Sequence, residues 1–165
     1  MSQLLLLRHA AAAKAAFMMS DFDRPLAEEG RASLEVLANA ISEAKLFPDR
    51  ILVSASCRTR ETASILMERL GRTIETIVDD MLYNGGTIDY LDSIKRHGNV
   101  DRLMLVGHNP TISDLALALT GEGTAHAISR LISGFSPSNM ATISFETALS
   151  DIETKQGRLE SFPLP

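Results

Sequence analysis

The sequence has a single cysteine, Cys57, among its 165 residues. An internal disulfide is therefore impossible, and so is a zinc site built on cysteines. The chain also lacks an excess of basic residues, because its formal net charge is −5 at pH 7. Proteins that bind nucleic acid non-specifically are usually basic, so this class is disfavoured. Long apolar runs are missing as well, since no stretch approaches the roughly 20 apolar residues that a membrane-spanning helix needs.

The N-terminal leucine run, Leu4–Leu7, is short and has no basic segment before it. It does not have the pattern of a secretory signal peptide. The single cysteine fits a reducing compartment, so we expect a cytoplasmic protein that binds neither membranes nor nucleic acid. Hydrophobic residues make up 45% and charged residues 22%, a composition typical of a globular protein. Without repeats or linkers, the length predicts one domain over residues 1–165.

Short apolar runs alternate with helical patterns along the chain. Buried strands are predicted at Gln3–Leu7, Arg50–Val53 and Leu103–Val106. Helices are predicted at Leu26–Lys45, Thr59–Leu70, Thr87–Arg96, Thr111–Leu119 and His126–Ile132. The alternation over Met140–Phe145 predicts a strand with one exposed face. Because continuous apolar strands alternate with helices, we predict an α/β fold, a three-layer αβα sandwich around a mainly parallel central sheet.

Each of the three apolar strands ends in a basic residue or a histidine. Arg8 and His9 follow the first strand, Arg58 comes shortly after the second, and His108 comes shortly after the third. In open α/β sheets, ligands bind in the crevice beyond the carboxyl ends of the strands. If these strands are parallel, the four side chains converge on one rim. Helix N-termini are expected there too, and their positive dipole ends also favour an anion.

Two arginines and two histidines are suited to a compact dianion such as a phosphoryl group, because the arginine fork matches phosphate oxygens. A neutral imidazole such as that of His9 can attack phosphorus and form a phosphohistidine, provided that its other ring nitrogen is held. Arg8, Arg58 and His108 would then hold the oxygens and stabilise their charge. The sequence lacks a metal-binding spacing such as HExxH, so we expect no metal and no cofactor.

Five parts of the sequence form a recognisable set of motifs. They are Arg8-His9, Ser54–Ala63 with its Arg58, Gly107-His108-Asn109-Pro110, Leu82-Tyr83, and Asp21-Phe22-Asp23-Arg24-Pro25-Leu26 with Gly30-Arg31. Together they resemble the histidine phosphatase superfamily, in its phosphoglycerate-mutase-like branch, and within it the SixA-type phosphohistidine phosphatases. The resemblance covers roughly residues 3 to 145 and predicts a phosphoglycerate-mutase-like fold.

The resemblance implies that His9 is the phosphorylated nucleophile and that Arg8, Arg58, His108 and Asn109 bind the phosphate. This sequence departs from the family patterns in the turn after His9 and at the general-acid position. The usual Arg-His-Gly is Arg8-His9-Ala10, and Ala11 stands where SixA-like chains often carry a polar residue. The superfamily's general acid, usually a glutamate just before the Leu-Tyr pair, corresponds to Asp80.

Three functions remain open from the sequence. The first is a metal-independent phosphatase that acts on phosphohistidine in a signalling or phosphotransfer protein and releases inorganic phosphate. The second is a phosphomonoesterase for small phosphoesters, and the third is a non-catalytic phosphate-binding module. A cysteine phosphatase is disfavoured, because Cys57 lies immediately beside Arg58, whereas that chemistry needs a cysteine several residues ahead of the arginine.

Overall fold

A computed structural model describes residues 1–164 of the chain. The strands in this part of the chain are β1 (Ser2–Arg8), β2 (Arg50–Ser54), β3 (Glu75–Asp79), β4 (Arg102–Gly107), β5 (Thr120–Gly123), β6 (Met140–Phe145) and β7 (Gly157–Leu164). The α-helices are α1 (Glu28–Ala44), α2 (Cys57–Leu70), α3 (Met81–Asn84), α4 (Thr87–His97), α5 (Thr111–Leu119) and α6 (Ala125–Ile132). None of these helices is long and apolar enough to cross a bilayer.

The strands form one sheet in the order β3-β2-β4-β1-β6-β7-β5. Parallel pairing joins β1 to β4, β4 to β2, β2 to β3, and β7 to β5. Antiparallel pairing joins β6 to both β1 and β7. The predicted α/β fold with a mainly parallel central sheet is therefore confirmed.

The leucine run of β1 lies at the middle of this sheet and contributes to two separate cores. Leu4 and Leu6 pack into one core, whereas Leu5 and Leu7 pack into the other. Successive side chains of a strand point to opposite faces, so an unbroken apolar run is required where helices cover both faces. All four leucines are accordingly fully buried.

Helices cover the two faces of the sheet in separate groups. The core on one face contains Leu34 and Leu37 from α1 and Leu66 from α2. The core on the other face contains buried residues from α4, α5 and α6, among them Ile94, Leu115 and Leu131. This arrangement is the three-layer αβα sandwich that the alternating pattern predicted.

The structure differs from the prediction at the C-terminal part of the sheet. The prediction of an exposed face on Met140–Phe145 is wrong, because all six residues of β6 are buried. The strand lies between β1 and β7 rather than at an edge of the sheet. Helix α5 covers Thr111–Leu119 as predicted, but strand β5, which begins at the next residue, was not predicted from the sequence.

Candidate active site

Two histidines lie side by side at the carboxyl ends of the central strands. β1 ends at Arg8 and β4 at Gly107, and these two residues are partners in the parallel register. His9 and His108 follow directly, and the backbone N–H of His9 donates to the Gly107 carbonyl at 3.1 Å. The two imidazole rings are 5.3 Å apart between centroids. Parallel pairing therefore brings together two residues that are far apart in sequence.

The His9 ring is held through one of its two nitrogens. Nδ1 lies 2.7 Å from the carbonyl oxygen of Ala10. A carbonyl can only accept, so Nδ1 carries the proton and Nε2 keeps its lone pair. The adjoining N–H of Ala10 donates to Thr62 Oγ1 at 3.1 Å, which fixes the turn after β1. Burial is the largest of the causes that lower the pKa of His9 to about 4; the Ala10 contact opposes the shift, and the nearby Arg58 and Arg8 add to it.

Three contacts fix His108, two of them through its ring and one through its backbone. Its Nε2 lies 2.8 Å from Ser54 Oγ at the end of β2, and its backbone N–H donates to the hydroxyl of Tyr90 at 3.1 Å. Nη2 of Arg58 lies 3.5 Å from Nδ1. Burial lowers the pKa of His108 to about 3, with smaller contributions from His9 and Arg58. Both imidazoles are therefore neutral at neutral pH.

The two predicted arginines approach the histidines from different elements. Arg58 belongs to the first turn of α2, and its side chain is only 9% exposed. Arg8 ends β1, and its Nη1 donates to the carbonyl of Phe135 at 2.8 Å. Its Nε is buried and has no hydrogen-bond partner within residues 1–164. The arginines place fixed positive charge beside two neutral imidazoles.

A carboxylate from the loop after β1 completes the cluster, and sequence analysis did not place it there. Asp21 accepts hydrogen bonds from Arg24 at 2.9 Å, from Tyr83 at 3.0 Å and from Arg58 at 3.1 Å. The contact with Arg24, followed by those with Tyr83 and Arg58, lowers the pKa of Asp21 to about 2. The Tyr83 ring also packs edge-on against His108, with the centroids 5.8 Å apart. The sequence feature that could have indicated a role for Asp21 is its position at the start of the Asp-x-Asp-Arg-Pro-Leu motif.

The remaining two predicted site residues differ in their surroundings. Asn109 donates from Nδ2 to the carbonyl of Phe135 at 3.0 Å, the same carbonyl that Arg8 contacts. Its Oδ1 is buried and unpartnered within the described residues. Asp80 is exposed just before α3, and its carboxylate makes no hydrogen bond or ion pair within residues 1–164. The structure therefore brings Asn109, but not Asp80, into contact with groups of the cluster.

This arrangement defines a class of protein. A cluster of arginines and neutral imidazoles beyond the carboxyl ends of a parallel sheet binds a compact anion, and a held imidazole with a free Nε2 can act as a nucleophile. Anion binding and a nucleophilic imidazole together are the properties of an α/β enzyme that transfers phosphoryl groups.

Comparisons with known proteins agree with this class. A sequence model of the histidine phosphatase superfamily, branch 1, matches residues 4–84. An uncharacterized protein of Mycobacterium tuberculosis is 30% identical over 150 residues, which cover 89% of this chain and 92% of the relative. A crystal structure from Agrobacterium tumefaciens, provisionally named phosphohistidine phosphatase SixA, is 34% identical with a TM-score of 0.84 and covers 99% of this chain and 98% of its own.

The structure of the protein histidine phosphatase SixA complexed with tungstate shares the fold, at 21% identity and a TM-score of 0.77, with 98% and 96% of the two chains covered. The chain belongs to the histidine phosphatase superfamily, with SixA-like relatives among its structural neighbours. Membership supports a phosphatase, and the fold is phosphoglycerate-mutase-like as predicted.

Proposed function

We propose that the chain is a phosphohistidine phosphatase, formed as one domain over residues 1–165, that transfers a phosphoryl group to His9 and then to water. The observation that carries this proposal is the state of the His9 ring. Its Nδ1 is committed to the Ala10 carbonyl, and its Nε2 has no hydrogen-bond partner within residues 1–164. In this tautomer the neutral ring keeps a lone pair on Nε2, and the guanidinium groups of Arg8 and Arg58 provide positive charge beside it.

The reaction proceeds in two displacements. In the first, the Nε2 lone pair attacks phosphorus while the P–N bond to the substrate imidazole breaks, and its electron pair stays with the departing ring, which takes up a proton. In the second, water attacks the phosphorus on His9, the new P–N bond breaks, and inorganic phosphate leaves. The proton that water releases balances the one taken up by the departing imidazole.

The surrounding side chains stabilise charge during both steps. Arg8 and Arg58 hold the equatorial oxygens through charge-assisted hydrogen bonds, as preorganised donors do in other enzymes. His108 and Asn109 add contacts from the end of β4. The proposal gives no role to a metal, because two guanidinium groups supply the positive charge.

The leaving group favours phosphohistidine over a phosphate ester. An alkoxide is a poor leaving group and needs a proton from an acid, whereas imidazole, with a reference pKa of about 6.5, leaves more readily. Among the described residues, neither Asp21 nor Asp80 is placed to supply that proton. Asp21 has a pKa of about 2 and is ionised, and the Asp80 side chain is exposed and without contacts in the described residues. The similarity to a protein named phosphohistidine phosphatase supports the same substrate class.

Parallel rate measurements test the proposal. We expect the protein to hydrolyse a phosphohistidine-bearing protein and phosphoimidazole far faster than a simple alkyl phosphate or a sugar phosphate. Each assay is repeated with EDTA, which should leave the rates unchanged. Faster hydrolysis of the sugar phosphate would instead identify a small-molecule phosphomonoesterase. Phosphate binding without hydrolysis of any substrate would identify a binding module.

A further inference from the structure

The geometry points to Asp21 as a positioning residue that fixes the guanidinium of Arg58 against the histidine pair. The inference rests on the proposed function, because it assigns Arg58 to the transferred phosphoryl group. It concerns Asp21, a residue of the loop between β1 and α1 that is neither the proposed nucleophile nor one of the predicted phosphate ligands.

Both terminal nitrogens of Arg58 are held by this one residue. Nη1 donates to the backbone carbonyl of Asp21 at 2.7 Å, and Nη2 donates to its carboxylate Oδ2 at 3.1 Å. A guanidinium is planar, so two contacts to its terminal nitrogens fix both its position and its plane. With that plane fixed, Nη2 lies 3.5 Å from Nδ1 of His108.

Asp21 is itself held by other donors, although its side chain is 53% exposed. Nη1 of Arg24 donates to Oδ1 at 2.9 Å, and the hydroxyl of Tyr83 donates to Oδ2 at 3.0 Å. Nε of Arg24 donates in turn to the carbonyl of Ala13 at 2.9 Å. An isolated exposed ion pair contributes little, because water and side-chain entropy compete with it. Here several donors converge on one carboxylate, which makes it a stable support for Arg58.

The expected consequence is a loss of rate when this support is removed. Misplacement of a preorganised group by about 1 Å can cost roughly 10²-fold in rate. Asp21→Asn keeps the size of the side chain and removes its charge. Asp23→Asn is the matched control, since Asp23 is exposed on the same loop and accepts its side-chain hydrogen bond from Ser20 at 2.6 Å.

A double-mutant cycle distinguishes positioning from a general structural role. We expect Asp21→Asn to lower kcat for phosphoimidazole by about 10- to 100-fold, and Asp23→Asn to change it by less than about twofold. In an Arg58→Ala background, Asp21→Asn should change kcat by less than about twofold, because the group that it positions is already gone. The melting temperature of each variant is measured in parallel.

Two rate results would overturn the inference. One is a parent-like kcat for Asp21→Asn. The other is an equal fold-loss of kcat caused by Asp21→Asn in the presence and in the absence of Arg58. NMR of the Arg58 Nε–H supplies a readout that does not depend on activity. We expect a sharp, slowly exchanging signal in the parent protein and a broadened signal in Asp21→Asn. An unchanged signal in Asp21→Asn would also overturn the inference. Failure of the proposed function would appear separately, as an unsubstituted protein that hydrolyses no phosphoimidazole.

Discussion

Acidification should leave the proposed nucleophile active well below the pKa of an ordinary histidine. Burial, reinforced by Arg58 and Arg8, lowers the pKa of His9 to about 4. At about pH 5, a ring with that pKa is about 90% neutral, whereas a ring with the reference pKa of about 6.5 is about 3% neutral. The two cases differ by about 30-fold in the fraction of reactive nucleophile. The pKa of His108 is lowered in the same direction, so protonation of His108 should not reduce the rate above about pH 4.

The assay is the single-turnover rate of phosphoryl transfer from phosphoimidazole, followed from about pH 8 down to about pH 4. Ionisation of the substrate is titrated separately by phosphorus NMR and divided out of the profile. Nitrogen NMR of the imidazole rings gives the protonation of His9 directly. We expect a corrected rate that changes little down to about pH 5. A tenfold fall per pH unit that begins near about pH 6.5, with a matching NMR midpoint, would refute the reasoning.

Three substitutions test other parts of the account. Arg58→Ala should lower kcat by at least about 10²-fold, the usual scale for one preorganised donor, whereas Arg60→Ala, exposed on the same helix, should leave kcat nearly unchanged. Asp80→Asn should change the rates with phosphoimidazole and with an alkyl phosphate by less than about twofold, because the Asp80 carboxylate makes no contact with the cluster in the described residues; a loss with the alkyl phosphate alone would instead identify Asp80 as the acid for that leaving group. Tyr90→Phe should lower the free energy of unfolding by about 1–3 kcal/mol, because it leaves the Leu82 carbonyl and the His108 N–H buried without a partner. Urea denaturation measures this loss, and a parent-like value would contradict it.

The central elements of the fold were predictable because periodicity reports burial. The unbroken leucines of β1 require two covered faces, and this pattern led to the layered sheet. A short strand that depends on a distant partner was not predictable in this way. Helix α5 ends at Leu119 as predicted, but β5 was not predicted, because the pairing of Thr120 with Gly157 of β7 is a long-range contact that local composition does not report.

The site was predictable to the extent that strand ends define it. His9 and His108 follow the last residues of parallel strands, so their proximity depends on the pairing of β1 with β4 alone. Asp21 lies in an irregular loop, and no periodic pattern relates that loop to Arg58, 37 residues further along the chain. Ser54 continues β2 by one residue beyond the predicted strand, and its contact with His108 follows from the parallel pairing of β2 with β4.

Trapping of the phosphoryl group tests the central claim most directly. The protein is mixed with labelled phosphoimidazole, quenched in alkali within one turnover, digested and mapped by mass spectrometry. We predict an acid-labile, alkali-stable phosphoryl adduct on His9, absent from His9→Ala and retained in His126→Ala, a histidine outside the cluster. A label on Cys57, on another histidine, or on no residue while hydrolysis proceeds would contradict the account.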